Sequence, residues 1–266
     1  MNAAQATAAD PAPDTRSVLT ERRGHLLVMT LNRPHVRNAV DHDLARSLDE
    51  ALCRLEDDPA LRVGILTGAD GCFCSGMDLK AFPAQGVPVV EDRGLAGLTR
   101  ACWRKPLIAA VEGPAVAGGF ELALACDLIV AGASAVFGLP EAARGLLAAE
   151  GGLIRLPQRL PYHLAMEVIL AGRTLDTTTA ARHGLLNQVV PDGTALQAAL
   201  ALAEAISALP QHAVRASKRI VHATRGLSDA DAFAVQDPLS APVFATDEAA
   251  EGARAFCDKR DPVRQS

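Results

Sequence analysis

Apolar and polar positions change period along this chain, and the changes mark its elements. Val18 to Arg22 and Leu26 to Leu31 are short apolar-containing runs on either side of Gly24, which predicts two strands joined by a tight turn. From Asp41 to Asp57, Leu44, Leu48, Ala51, Leu52 and Leu55 recur at helical spacing, and Asp41 stands where an N-cap belongs. Val63 to Thr67 and Leu107 to Val111 are continuous apolar runs of strand length, each ending at a glycine-containing turn. Gly118 to Ala125 predicts a helix and Asp127 to Ala131 a further strand. Residues 83–92, punctuated by prolines and Gly86, predict a mobile loop. Past residue 160 strand signals fade, and Tyr162 to Ala171, Ala195 to Leu209, Gln211 to Thr224 and Asp247 to Arg260 all read as helices. Alternating strands and helices followed by helices alone predict an α/β core with a helical C-terminal region. The expected boundaries are a disordered tail at 1–16, a core at 17–193 and the helical region at 194–266, with no internal repeat.

Composition narrows the function. At 266 residues and 49% apolar content, the chain can bury a large core without staples. Lys and Arg number 26 against 31 Asp and Glu, and there is one Trp, one Tyr and seven Phe; a net charge of −5 with few stacking rings argues against nucleic acid. No apolar run reaches the roughly 18 to 20 residues that cross a bilayer, which argues against a membrane protein. The first 16 residues lack both the basic start and the apolar stretch of a signal peptide, and Arg264-Gln265-Ser266 is not a peroxisomal address. The expectation is a cytoplasmic protein whose six cysteines are reduced thiols. Cys72 and Cys74 lack a second nearby Cys or His pair and read as small buried fillers, and the seven histidines form no compact ligand set, so no metal is expected.

Chemistry concentrates in two turns. Gly71-Cys72-Phe73-Cys74-Ser75-Gly76-Met77-Asp78-Leu79 follows one buried strand, and Gly113-Pro114-Ala115-Val116-Ala117-Gly118-Gly119-Phe120-Glu121-Leu122 follows another. A helix start after such a turn leaves N–H groups free to bind negative oxygen. Neither turn carries GxxxxGK[ST] or GxGxxG, and no GxSxG occurs, so a P-loop, a dinucleotide site and a hydrolase elbow are not supported. What remains is a pair of amides aimed at one oxygen, an oxyanion hole. Glu121 and Glu141 lie among apolar neighbours, where an unpaired carboxylate is costly. Each acid alone reads as a helix-terminus charge; together beside both turns they read as an acid/base pair. Glu150 reads first as a cap for a helix beginning near Gly151, and otherwise as a third acid facing the cavity.

These segments resemble the crotonase superfamily, and within it the enoyl-CoA hydratases, over about residues 17–260. The resemblance is carried by Cys74-Ser75-Gly76-Met77-Asp78-Leu79-Lys80, Ala117-Gly118-Gly119-Phe120-Glu121-Leu122-Ala123, Cys126-Asp127 and Phe137-Gly138-Leu139-Pro140-Glu141. It implies a spiral of ββα turns with a helical C-terminal region used in trimer formation, and hence a homo-oligomer, a trimer or a dimer of trimers. It implies that the Met77 and Gly118 amides hold a thioester oxygen, that Glu121 activates water and that Glu141 exchanges the proton at Cα. Ser75, Asp78, Leu79 and Pro140 would line the coenzyme A and acyl channel, and Arg37 would approach the coenzyme A phosphates. Phe256 and Lys259 match positions that meet coenzyme A, often from a neighbouring subunit. The implied reaction is syn addition of water to a trans-2-enoyl-CoA, with coenzyme A as part of the substrate and no separate cofactor. An isomerase or a carnitinyl-CoA-type dehydratase of the same fold is the alternative. A silent acyl-CoA-binding subunit and a thioester hydrolase are the readings from other classes.

Overall fold

A computed structural model describes residues 15–261; the expected tail at 1–16 therefore lies almost wholly outside the described residues, as does the C-terminal tripeptide. Strands β1 (Val18–Arg23) and β2 (Leu26–Leu31) form the antiparallel hairpin that the pattern predicts. Helix α1 (His42–Asp57) starts where Asp41 accepts a hydrogen bond from the Leu44 amide at 2.9 Å, a cap worth about 1 kcal/mol. Its five predicted apolar positions are all buried. Strand β3 (Val63–Gly68) lies parallel to β2, and β4 (Leu107–Val111) lies parallel to β3.

The chain continues through β5 (Pro114–Val116), with α2 (Phe82–Gln85) lying between β3 and β4, and then α3 (Gly118–Ala125), β6 (Leu128–Gly132) and β7 (Val136–Gly138). Next come α4 (Gly152–Arg159), α5 (Tyr162–Ala171), β8 (Leu175–Asp176), α6 (Thr177–Arg182) and β9 (Gln188–Val190). The last helices are α7 (Ala195–Ser207), α8 (Gln211–Ala223), α9 (Asp229–Phe244) and α10 (Asp247–Cys257). A six-stranded sheet runs β1-β2-β3-β4-β6-β9 and a three-stranded sheet runs β5-β7-β8.

Alternation along the strands divides the interior. Leu27, Met29 and Leu31 face the larger core with α1, while Leu26, Val28, Val63, Ile65 and Ile108 face a second core covered by Ala195, Ala199, Leu200 and Ala203 of α7. Because β3 and β4 are parallel neighbours, their C-terminal ends lie side by side and deliver both glycine-containing turns to one place. The turns then pair with each other beyond the sheet. The Phe73 amide donates to Glu112 O at 2.8 Å, the Cys74 amide to Pro114 O at 3.0 Å and the Val116 amide to Cys74 O at 3.1 Å.

Four expectations need correction. Strand formation does not end at residue 160: β8 and β9 are real but only two and three residues long, too short to carry a period. Residues 83–92 are not a featureless loop, since α2 begins with Pro83 in its first turn, where a missing N–H costs nothing, and a 3₁₀ turn spans Glu91–Arg93. The first glycine-containing turn leads only into this four-residue α2, not into a full helix. Helix α9 was not expected because Pro238 and Pro242 lie inside it. Each proline removes one ladder bond. Ser228 caps the helix through the Asp231 amide, and α9 packs along α8.

Candidate active site

The amide pair arises from how the first turn is pinned. The Val40 amide donates to Gly76 O and the Asp78 amide donates to Val40 O, both at 2.8 Å. Residues 76 and 78 thus bond toward Val40, and the intervening Met77 N–H, on the opposite side of an extended segment, has no partner among the described residues. Gly118 is the first residue of α3, so its N–H has no acceptor within the helix, and it finds none elsewhere among the described residues. The two groups are close. A Cβ placed on Gly118 would sit 3.5 Å from Met77 N, and one on Gly76 would sit 3.0 Å from Gly118 N. Gly119 lets α3 start against the first turn, since a Cβ there would lie 2.2 Å from Cys74 O. Ala117, just before the pair, is held at φ 51° and ψ −131°, a conformation a side chain rarely adopts.

Glu121 lies in the first turn of α3 and is 3% exposed. Its carboxyl does not serve its own helix terminus. Oε1 accepts from the Glu150 amide at 2.8 Å and the Gly152 amide at 2.9 Å, at the start of α4. Gly152 permits this, because a Cβ would come within 3.1 Å of that oxygen. Burial pushes the Glu121 pKa up to about 7; repulsion from Glu141 adds to the rise, and the two amides oppose it. Glu141 opens a 3₁₀ turn (Glu141–Arg144) after Pro140 and is half-buried. Its Oε2 is buried with no hydrogen-bond partner among the described residues, and burial holds its pKa above the usual carboxylate range against the pull of its own amide and of Arg144. An amide pair able to bind an oxygen that gains charge therefore lies one helical turn from Glu121, a carboxyl able to carry a proton near neutral pH, and Glu141 is near enough to Glu121 for the two charges to repel.

The remaining candidates separate. Ser75 is half-buried, with its amide on Arg37 O at 3.0 Å and its hydroxyl on Val36 O at 3.3 Å. Arg37 is exposed and left-handed at φ 54°. Asp78 pairs with Arg33 at 3.2 Å, and Arg33 also pairs with Asp41 at 3.0 Å. Asp78 and Lys80 border an open cleft of ≈ 640 Å³ that also touches Arg33, Asp41 and Arg46; neither Glu121 nor Glu141 lines it. Leu79 is 44% exposed, and Pro140 is half-buried beside Glu141. Phe256, 85% exposed, and Lys259 stand at the end of α10 and are not gathered into the amide and carboxyl cluster of their own chain. Cys72 and Cys74 are buried as expected, and burial pushes the Cys74 thiol up to about 12.

Sequence reasoning missed two contributors, Asn38 and Leu95, and misread a third. Asn38 is fully buried, donates to Ala69 O and Cys72 O at 3.0 and 2.6 Å, and accepts from the Arg33 amide at 2.9 Å, which fixes the first turn. Leu95 lies against Gly118, its Cδ2 only 2.8 Å from where a Cβ would be. Glu150, named from the sequence, is the third, and it is not the cap expected first. Gly151 is the N-cap of α4, and the Glu150 side chain bonds not to that terminus but to residues 95–100. A glycine pair before an apolar run was the available signal for the α4 start; nothing local announced Asn38 or Leu95.

A scaffold of parallel strands delivering two free amides beside two buried acids defines a class of site suited to oxyanion and proton chemistry. A family model described as enoyl-CoA hydratase/isomerase matches residues 21–266. The chain is 44% identical to enoyl-CoA hydratase EchA19 of Mycobacterium tuberculosis over 93% of its own length and 96% of the relative's. A crystal structure of an enoyl-CoA hydratase from Mycobacterium tuberculosis H37Rv superposes with a TM-score of 0.89 at 51% identity, covering 93% of this chain and 98% of that one. A carnitinyl-CoA dehydratase from Mycobacterium avium 104 superposes with a TM-score of 0.77 at 41% identity, covering 94% and 99%. The chain belongs to the enoyl-CoA hydratase/isomerase family of the crotonase superfamily.

Proposed function

We propose that the protein catalyses the reversible addition of water to a trans-2-enoyl-CoA thioester. The observation that carries this reading is the free amide pair at 77 and 118 one helical turn from buried Glu121, with half-buried Glu141 close enough to repel its charge. The thioester oxygen sits between the two amides. Ionised Glu121 takes a proton from water as its oxygen bonds to Cβ, and the C=C electrons move to the thioester oxygen as an enolate. Protonated Glu141 then delivers its proton to Cα, and the double bond to oxygen reforms. One amide donor aimed at such an oxygen is worth on the order of 3 kcal/mol of barrier. The steps are two proton transfers and the making of one C–O bond with no redox change, so the substrate's own coenzyme A is the only cofactor the chemistry requires. Ser75, Asp78, Leu79, Pro140 and Arg37 are assigned to the acyl-CoA approach. Exposed Phe256 and Lys259 are assigned to coenzyme A bound by a neighbouring subunit of a trimer or dimer of trimers.

The same site run backwards dehydrates a 3-hydroxyacyl-CoA. The 38% identity to a carnitinyl-CoA dehydratase of Proteus mirabilis favours a polar acyl group as the second reading. The test is loss of the enoyl absorbance of crotonyl-CoA and of longer and polar enoyl-CoA esters, with mass spectrometry for a gain of water. Turnover of one ester with addition of water is expected. Free thiol release, or a shifted double bond without water, would replace the reading with hydrolysis or isomerisation. The acidic limb of kcat/KM is expected near pH 7, rising with pH as the pair gives up its first proton.

A further inference from the structure

We infer that Glu150 is a positioning residue that sets the acid and the wall of the acyl site together. The inference rests on the reading of Glu121 and the amide pair given above. Glu150 is 6% exposed, so its charge needs partners, and all of them lie on one segment. Its Oε2 accepts from the Leu95 amide and the Thr99 hydroxyl, both at 2.9 Å, and from Arg100 Nε at 3.2 Å; Oε1 accepts from Arg100 Nη2 at 2.7 Å. Arg155, one turn into α4, closes the same contact by donating to Thr99 O.

The segment being gripped is wound too tightly to hold its shape unaided. Gly94, Ala96 and Gly97 have φ of 78°, 51° and 70°. Between them Leu95 is buried, and its side chain lies over Gly118. At the other end of the same residue, the Glu150 main-chain amide is one of the two donors on Glu121 Oε1. Residue 150 thus joins the base to the loop that covers the amide pair. Movement of this loop changes where Leu95 meets a thioester seated at Gly118, and strain at 150 is felt by Glu121. Among the described residues the side chain's hydrogen bonds go to residues 95–100, so it is assigned a positioning role and not proton exchange with substrate.

Acetoacetyl-CoA tests this without relying on turnover, because its enolate absorbs in the near ultraviolet and reports occupancy of the amide pair. Glu150→Ala, which removes hydrogen bonds to a charged group, and Leu95→Ala, which keeps its main-chain bond to Glu150 but removes the side chain over Gly118, are each expected to weaken its binding about 10-fold. The double variant is expected to be no weaker than either single, because both remove the same wall. Glu150→Gln keeps the acceptor for Leu95 and Thr99 and is expected to restore binding and turnover to within about threefold of wild type. Thr99→Val with Arg100→Gln removes the opposite half of the grip and is expected to match Glu150→Ala, which keeps the test open if that variant does not fold. Additive losses in the double variant would overturn the inference. So would a Glu150→Gln variant as inactive as Glu150→Ala with KM unchanged, since that marks an acid that handles protons. Failure of the wild-type protein to bind acetoacetyl-CoA would instead remove the amide-pair reading on which the inference stands.

Discussion

Glu121 supplies a test in which stability and activity move in opposite directions. A carboxyl whose pKa rises from 4.5 to about 7 on folding holds its proton in the native state where the unfolded chain has released it. Between these values the native state binds more protons, so stability falls as pH rises and levels off above about 7. The accumulated penalty is about 1 kcal/mol at pH 5 and about 3 kcal/mol at pH 8, from 1.36 kcal/mol per pKa unit. Glu121→Gln removes it. The amide oxygen still accepts from the Glu150 and Gly152 amides, and nothing must be ionised inside the core. The variant is therefore expected to exceed wild type by about 3 kcal/mol at pH 8 and by about 1 kcal/mol at pH 5, while the proposed hydration activity is lost.

Equilibrium urea denaturation followed by circular dichroism reads this directly, at fixed subunit concentration so that any assembly contributes equally. The informative quantity is the pH dependence of the difference between the two proteins, which cancels every other titrating group. A difference that stays constant from pH 5 to pH 8 would refute a raised Glu121 pKa. A variant less stable than wild type at pH 8 would show that the two amides outweigh desolvation and that Glu121 is an ordinary ionised cap.

Three other outcomes are expected. Glu141→Gln lowers kcat about 10²- to 10⁴-fold and abolishes solvent-deuterium exchange at Cα of the product, with acetoacetyl-CoA binding retained; turnover within tenfold of wild type would remove Glu141 from the proton path. Gly119→Ala forces a Cβ to within 2.2 Å of Cys74 O and costs about 3 kcal/mol, whereas Gly252→Ala, in open space on α10, gains about 0.5 to 1 kcal/mol; equal melting temperatures for the two would refute the close approach of α3 to the first turn. Asn38→Ala strands the Ala69 and Cys72 carbonyls and the Arg33 amide and lowers stability by about 3 kcal/mol or more, and Asn38→Asp does not rescue it because the lost groups are donors; a melting temperature unchanged in either variant would count against this bracing of the first turn.

Legibility in the sequence followed the range of the forces involved. Helices α1, α3 and α5 were readable to within a residue because their signals are local: an Asp41 cap, a glycine pair, an apolar period bounded by a terminal glycine. Helix α9 was not, because Pro238 and Pro242 argue locally against a helix that α8 supports from outside. The acids could be named from the sequence, but not what Glu121 touches. Its partners lie 29 and 31 residues away at a helix start that only the folded chain brings near. Glu150 misled for the same reason. Its position before Gly151 is that of a cap, yet its partners lie 50 to 55 residues back.

The site is also where local preference and global structure disagree. Ala117 occupies a φ, ψ region that costs about 1 to 3 kcal/mol for a residue with a side chain. The conformation is over-determined. The Ala117 amide is tied to Gly138 O at 2.8 Å, and its Cβ lies over Gly76, whose own missing side chain makes the room. The consequence is that the Gly118 N–H turns out of the chain beside Met77 N rather than into a bond. Glu121 likewise stays buried against its own preference for water, and Glu141 buries an oxygen with no partner among the described residues. Any one of these would be a minor defect elsewhere in the fold. Here they occur together, and in the proposed reaction the free Gly118 N–H, the Glu121 carboxyl and the Glu141 oxygen are the groups that a thioester oxygen, a water or a proton would meet when substrate arrives. Substitutions that relieve such a defect, as Glu121→Gln does, should therefore stabilise the protein and impair it in the same stroke.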